Sequence, residues 1–427
     1  MTSVDLVVVG AGVVGLAHAW HAVRRGLSVA VVERDERAVG ASVRNFGHGC
    51  FTAQDGVAFS YAMAARAEWV ALAREAGFWL RESGSVVVAR AEDEVEVLRE
   101  FAEIRDVELF NNPGVGSFND PTPGLLNNLF EGSLNDPSSA RRTALRPPTR
   151  TTGGRHVPGT ARLPLDVPGT ARLPLDVPGA ARLPLDILGA ARLPLDIRVN
   201  PREAVHAIAG LLAARGVTFH WSTNVLTVEP GLVRTSRGEI RCRTTVVAVG
   251  HDVDRFFPDL AEQHEVQRCQ LRMLRVAHDG VVDPAVLTGF SMLRYDAFKH
   301  CPSLTNVRDR LTADHPELVA AGLNLMFTQL PDGSLTIGDT HHYGRTIEPY
   351  RTEELDDLVL AETARLLGVR ELRVLERWRG VYASAPEPFL TATPAPLTRA
   401  VSVTSGIGMT TALGLAPAVL DDLLQEM

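Results

Sequence analysis

Apolar and polar positions along the chain follow three patterns. Short continuous apolar runs at 4–9 (VDLVVV), 28–33 (SVAVVE), 85–89, 244–249 (TTVVAV) and 400–404 (AVSVT) predict buried strands, parallel where both faces are covered. Apolar residues at steps of three to four predict helices. The first covers 13–25, with Val14, Ala17, Trp20 and Val23 on one face and Gly26 as the stop. Others cover 57–76, 201–215, 353–367 and the C-terminal stretch to Leu424. Alternation through 266–340 predicts an antiparallel sheet, with its clearest hairpin at 324–330 and 334–339 around Pro331-Asp332-Gly333. Short strands are predicted at 218–221, 225–229 and 232–235. The first thirty or so residues thus read as strand, glycine turn, helix, strand, one βαβ unit.

From Leu109 neither period persists, and Asn, Pro, Gly and Ser dominate. A ten-residue repeat follows: VPGTARLPLD at 157–166 and 167–176, VPGAARLPLD at 177–186 and ILGAARLPLD at 187–196. Known solenoid repeats run to ~20–50 residues, and two prolines with a glycine in most copies oppose regular structure. The stretch 109–196 is therefore expected to be an irregular insertion, its repeat a tandem duplication of one loop.

Composition narrows the function. Hydrophobic residues make up 45% and charged residues 22%, values of a globular chain. A net charge of −8 argues against nucleic acid or an anionic membrane as partner. No apolar run reaches the ~20 residues of a membrane span, and Asp5 interrupts the only apolar N-terminal stretch, so the expected location is the cytoplasm. Cys50, Cys242, Cys269 and Cys301 form no CxxC pair, which speaks against a zinc ribbon or a disulfide scaffold; no metal is expected.

Gly10-Ala11-Gly12-Val13-Val14-Gly15 matches GxGxxG in the strand-to-helix context that the motif requires. Gly10 makes the turn, Gly12 admits a pyrophosphate to the backbone, and Gly15 lets helix and strand pack. The helix N-terminus offers free N–H groups to the phosphates. Glu33, 18 residues after Gly15, can accept from both hydroxyls of an adenosine ribose and would repel a 2′-phosphate, although Arg34 is adjacent. The ligand is a dinucleotide. The small, polar segment 40–49 (GASVRNFGHG) then favours FAD over NAD, because a dehydrogenase would carry a helix there.

Residues 1–50 resemble the D-amino acid oxidase, glycine oxidase and sarcosine oxidase superfamily of FAD-dependent oxidoreductases. The run 244–250 (TTVVAVG) is similar to the strand beneath the adenosine half of the cofactor. Trp378-Arg379-Gly380 resembles a late motif near the flavin, and 405–410 (SGIGMT) resembles the glycine loop that closes over it. ASVRNFGHG together with GDTHHYG at 338–344 is most similar to a bacterial subgroup associated with aminophosphonate catabolism. The resemblance covers most of 1–108 and 197–427 but not 109–186. It implies an α/β fold: a discontinuous Rossmann-like FAD-binding domain (1–80, 197–260, 376–427) and a mixed or antiparallel-sheet substrate domain (81–108, 261–375), with the insertion at 109–196. It also implies FAD contacts from Gly10, Gly12, Val13, Val14, Gly15, Glu33, Arg34, Ser42, Arg44, Asn45, Gly47, Val225, Gly250, Gly380, Gly406, Gly408, Met409 and Thr410.

The expected reaction is oxidation of a small amine, amino acid or aminophosphonate by hydride transfer to flavin N5. The imine then hydrolyses, and molecular oxygen or another acceptor reoxidises the flavin. Candidate catalytic or substrate residues are His48, His341, Tyr382, Arg345 and Arg379, the arginines because a guanidinium pairs bidentately with carboxylate or phosphonate. The alternatives are a flavoprotein dehydrogenase of a hydroxy acid or polyol phosphate, and a catalytically disabled dinucleotide-binding protein.

Overall fold

The computed structural model describes residues 3–111 and 187–426. From the N-terminus, β1 (Ser3–Val9), α1 (Val13–Arg24) and β2 (Val29–Val32) form the predicted strand–helix–strand unit. Then come β3 (His48–Gly49), α2 (Gly56–Ala76), β4 (Leu80–Arg81), β5 (Ser85–Ala89), α3 (Glu92–Ile104) and β6 (Glu108–Asn111). From residue 187 on come β7 (Gly189–Leu193), β8 (Ile197–Val199), α4 (Pro201–Ala214), β9 (Thr218–His220), β10 (Val225–Glu229), β11 (Leu232–Thr235) and β12 (Gly238–Val247). The remaining long elements are β13 (Gln267–Val276), β14 (Ala285–Leu287), α5 (Leu304–Asp314), β15 (Met326–Gln329), β16 (Leu335–Gly344), α6 (Glu354–Leu367), β17 (Val374–Ala395), β18 (Thr398–Ser405) and α7 (Gly408–Gln425).

One mixed sheet of 15 strands runs in the order β6-β7-β5-β14-β15-β16-β13-β17-β18-β12-β1-β2-β9, with β10 and β11 continuing from β12; β3, β8 and β4 form a second sheet. β1 lies parallel between β12 and β2. Leu6 to Val9 are buried, so this run has no alternation to show. At the end of β1, Gly10 has φ +104°, and a Cβ there would lie 2.5 Å from the Ala248 carbonyl oxygen. A Cβ on Gly15 would lie 1.9 Å from the Gly10 oxygen, so only glycine lets α1 settle on the strand. One core, with Trp20, Trp69, Leu72, Val246, Val403 and Leu413, packs α1, α2, α4 and α7 on the parallel strands. A second, with Phe101, Phe298, Met326 and Ile337, fills the antiparallel half. Among the described residues no helix is long and apolar enough to cross a membrane.

The α/β fold is the expected one, and three local expectations change. First, the two halves share one sheet through β17. This 22-residue strand pairs with β13 over residues 374–384 and with β18 over 384–395. Second, 266–340 is not continuous sheet: Gly289–Met292, α5 and Pro316–Ala320 are helical, because this stretch covers the antiparallel strands rather than joining them. Third, the irregular stretch expected at 109–196 ends earlier. Copies 157–186 lie outside the described residues, but the fourth copy contains β7, paired antiparallel to β5 and β6. Its sequence shows why. Where the other copies carry proline at 158, 168 and 178, the fourth has Leu188, whose N–H donates to the Ala89 carbonyl at 2.8 Å. Proline has no N–H to give.

Candidate active site

A cleft of about 630 Å³ crosses the carboxyl ends of β1 and β2 and reaches β17 and β18. Parallel α/β sheets bind ligands at this edge. Its outer end is lined by Glu33, Arg34, Val225 and Gly250, its middle by Gly12, Val13, Val14 and Ser42. Oxygen acceptors already sit on the α1 N-terminus. Ser42 Oγ accepts from Val13 N–H at 2.9 Å, and Glu33 Oε2 accepts from Ala11 N–H at 2.8 Å. Glu33 Oε1 accepts from Asp35 N–H at 3.2 Å. A carboxylate has about four acceptor positions, which leaves room for ribose hydroxyls. Arg34 pairs with Asp252 at 2.7 Å. The cradle fits FAD: a pyrophosphate at Gly12 and the helix end, an adenosine ribose at Glu33.

The inner end of the cleft is lined by Arg44, Asn45, Gly380, Tyr382, Gly406 and Gly408. Gly406 has φ +80°, and a Cβ there would lie 2.9 Å from the Tyr382 ring. Met409 lies in the first turn of α7; its carbonyl accepts from Trp69 Nε1 at 2.7 Å, which ties α7 to α2. Trp378 Nε1 donates to the Arg44 carbonyl and Arg44 donates to the Arg379 carbonyl, at 3.2 and 3.3 Å. The Trp378-Arg379-Gly380 motif therefore holds the 40–45 loop. Gly47, with φ +70°, packs against Val199 rather than lining the cleft.

Next to this inner end is a smaller cavity of about 140 Å³, sharing Asn45, Leu271, Tyr382, Gly406 and Met409 with the cleft. His48, Arg294, Asp339, His341 and Thr410 complete much of its wall. Arg294 Nη2 donates to Tyr382 Oη at 2.8 Å and to the Ser405 carbonyl at 3.4 Å. Burial opposes the Arg294 cation, but Tyr382, Tyr343 and Asp339 outweigh it and hold the group charged. Asp339 is 4% exposed, and its Oδ1 has no hydrogen-bond partner. Burial pushes its carboxyl up to about 7 against the pull of Arg294. His341 donates from Nδ1 to the Gly322 carbonyl at 2.7 Å; burial first, and Arg294 second, hold it down to about 3, so it is neutral.

His48 belongs to a buried knot. Its Nε2 donates to Asp196 Oδ2 at 3.2 Å, and the same oxygen accepts from Ser85 Oγ at 2.6 Å. Asp196 Oδ1 accepts from Phe51 N–H, Thr52 N–H and Thr52 Oγ1 at 2.9, 3.1 and 3.1 Å. His48, Cys50 and Asp196 have ligand atoms within 4.8 Å of one another. Burial first, then Asp196, pushes the Cys50 thiol up, and both Asp196 oxygens are engaged, so His48 and Asp196 form a hydrogen-bonded junction beside Cys50.

Two expected substrate residues lie elsewhere. Arg379 falls on the exposed face of β17 with Leu375 and Arg377, and donates to the Pro349 carbonyl at 3.0 Å. The period of two that points Gly380 and Tyr382 inward turns Arg379 outward. Arg345 follows the end of β16, is 71% exposed and pairs with Glu262 at 3.0 Å. Sequence reasoning missed Arg294, which lies in a stretch read as antiparallel sheet and comes close to Tyr382 only through tertiary packing. It also passed over Asp339, for which a signal existed: an ionisable residue inside the apolar strand LTIGDT.

The family model described as "FAD dependent oxidoreductase" (DAO) matches residues 5–421. Solved structures share the fold at low identity. Glycine oxidase from Bacillus cereus superposes with a TM-score of 0.68 at 15% identity, covering 100% of this chain and 96% of that one. L-proline dehydrogenase from P. horikoshii gives 0.67 at 16%, covering 99% and 94%. L-amino acid deaminase from Proteus vulgaris gives 0.66 at 15%, covering 100% and 94%. No curated protein matches the sequence.

Proposed function

Since the chain belongs to the DAO family of FAD-dependent oxidoreductases, we propose that it oxidises a small amine bearing an anionic group, an amino acid or an aminophosphonate. The observation that carries this reading is Arg294. Among the described residues its guanidinium donates to a phenol and a carbonyl and to no carboxylate, beside the end of the cleft where Gly406 and Gly408 approach. A fixed guanidinium in a cavity, bonded directly to no carboxylate, is suited to a carboxylate or phosphonate. The cavity, about 140 Å³, is below the ~300 Å³ at which drug-sized pockets begin, so the substrate is small. Three of the similar structures, glycine oxidase, proline dehydrogenase and amino acid deaminase, are named for amino acid substrates; another is a glycerophosphate oxidase.

Bound FAD supplies the two-electron acceptor for the hydride leaving the substrate Cα. The chain's residues bind and orient. Arg294 fixes the anionic end, Tyr382 Oη fixes Arg294, and the buried walls from Leu271 and Met409 exclude water around the Cα–H. His341, neutral and locked by Gly322, adds a polar wall without a second cation. The imine product hydrolyses in water, and oxygen or another acceptor completes the cycle.

The test is anaerobic bleaching of the visible flavin band by a panel of glycine, sarcosine, proline, both alanine enantiomers, an aminoalkylphosphonate, simple alkylamines, lactate and glycerol phosphate. Bleaching by anionic amines ahead of alkylamines is expected. Bleaching by the hydroxy compounds alone would transfer the chain to the hydroxy acid or polyol phosphate reading, and bleaching by none would leave a dinucleotide-binding protein. Reoxidation on admitting air separates an oxidase from a dehydrogenase.

A further inference from the structure

Two groups of opposite character line the small cavity. Arg294 enters from the segment after Gly289–Met292, and Asp339 projects from β16. They interact, yet form no ion pair within bonding distance, and Asp339 Oδ1 is buried without a partner. A buried, unpartnered carboxylate oxygen normally costs free energy. Its retention beside a guanidinium that is also free of carboxylate makes a site with two ends, one for an anion and one for a cation.

We propose that Arg294 and Asp339 together read a zwitterion: the guanidinium takes the carboxylate or phosphonate, and the Asp339 carboxylate takes the ammonium group and one of its protons. This rests on the amine-oxidation reading and adds the group that prepares the amine. An ammonium nitrogen has no lone pair to support departure of hydride from Cα, and amines keep their proton at neutral pH. In the step proposed, one N–H bond of R–NH₃⁺ breaks, an O–H bond forms on Asp339, and the nitrogen regains its lone pair; nothing is oxidised or reduced until the hydride leaves.

The surroundings suit a proton acceptor that works near neutrality. Burial raises the carboxyl and Arg294 restrains the rise, leaving Asp339 at about 7. The other groups facing it stay out of the way. On β16, His341 is held near 3 and the Tyr343 hydroxyl is raised by burial. Tyr382 on β17 and Tyr295 beside Arg294 are both raised well above their usual value by burial, as is the Cys50 thiol. The Cys269 thiol on β13 is pushed up to about 11 by burial. The remaining ionisable wall residues are His48, bonded to Asp196, and Asp296, paired with Lys299 at 2.6 Å.

The signs follow. Below about 7 the free enzyme carries Asp339 protonated, unable to accept, so kcat/KM for an anionic amine should fall about tenfold per pH unit on the acid side. Asp339→Asn keeps the shape and cannot take the proton. It should retain stoichiometric FAD, lose the limb near 7, follow the substrate amine's own ionisation upward, and lose about 10²–10⁴-fold in kcat/KM at pH 7. A limb that survives unchanged in Asp339→Asn belongs to another group and overturns the proposal.

A binding measurement on the wild-type holoenzyme decides even if that variant fails to fold. 2-Aminoisobutyrate has no Cα–H and cannot be oxidised; isobutyrate is its analogue without nitrogen. Followed by perturbation of the flavin spectrum, the zwitterion should bind tighter as pH rises through about 7, because it needs ionised Asp339, while isobutyrate should bind weaker because the same charge repels it. Parallel pH dependences for the two ligands would refute the proposal. If the pair diverges but no amine bleaches the flavin, the two-ended site stands and the amine-oxidation reading falls.

Discussion

At the scale of the residue, Arg294 and Arg379 make a matched pair. Both are arginines near Tyr382 in sequence or in space, but only Arg294 reaches its hydroxyl. Arg294→Met should raise KM for anionic amines by roughly 10–150-fold, the loss of a charge-assisted bond worth ~1.5–3 kcal/mol, and should leave alkylamines little changed. Arg379→Met, an exposed substitution whose guanidinium bonds only a surface carbonyl, should stay within about twofold in steady-state kinetics on the same substrates. Equal losses in both variants would remove Arg294 from the site. Gly12→Val should abolish FAD retention. A Cβ there already lies 3.0 Å from Ser42 Oγ, so valine must displace Ser42 or fill the path of the pyrophosphate; the flavin-to-protein ratio of the purified variant measures this. The contrast explains what the sequence reveals at this scale. Gly10, Gly12, Gly15 and Glu33 are legible because a local turn constrains them within one βαβ unit. Arg294 is illegible because its role comes from a contact 88 residues away.

Elements were legible where one face or one period dominated. β1, α1, α2, α4 and α6 lie within a residue or two of their expected bounds, and α7 ends one residue beyond its expected end, since each is a run with its own stop. β7 was not, because a closely similar ten-residue unit occurs four times, and the pairing of the fourth with β5 and β6 is a tertiary contact that no local pattern announces. Two deletions of equal length separate the copies. Removing 157–186 keeps ILGAARLPLD before Ile197 and should leave the denaturation midpoint and FAD content unchanged; loop shortening alone costs or gains only ~0.6 kcal/mol per factor of two. Removing 167–196 instead joins VPGTARLPLD to Ile197. Proline then replaces Leu188 and threonine enters the position of fully buried Ala190, so the bond to Ala89 is lost and the strand is overfilled. That variant should be less stable by ~1–3 kcal/mol in urea titration. Equal stability of the two would mean that β7 contributes little.

Across the whole molecule, the cleft is built from parts that are distant in sequence: Gly10, Ser42, Val225, Gly250, Gly380 and Gly406 all border it. No local pattern announces such a meeting, which is why the cofactor could be inferred from the first fifty residues but the substrate cavity could not. The same dispersion couples FAD to folding. A ligand that binds only when all these segments are assembled should raise the stability of the apoprotein by ~2.7 kcal/mol at a hundredfold excess over its Kd. Thermal midpoints of apoprotein measured against FAD concentration should climb accordingly, and a midpoint independent of FAD would contradict a cleft assembled from both ends of the chain.

Leu188 also bears on how the gene can change. Tandem copies invite slippage during replication, and because each unit is a whole number of codons, losing or gaining one preserves the reading frame. Counted back from Ile197, such events are harmless only while the unit bordering it keeps leucine in place of proline. If the deletion of 157–186 is neutral, the array should drift in length more readily than its final member changes, and alleles should differ in how many units they carry before they differ at Leu188 or Asp196.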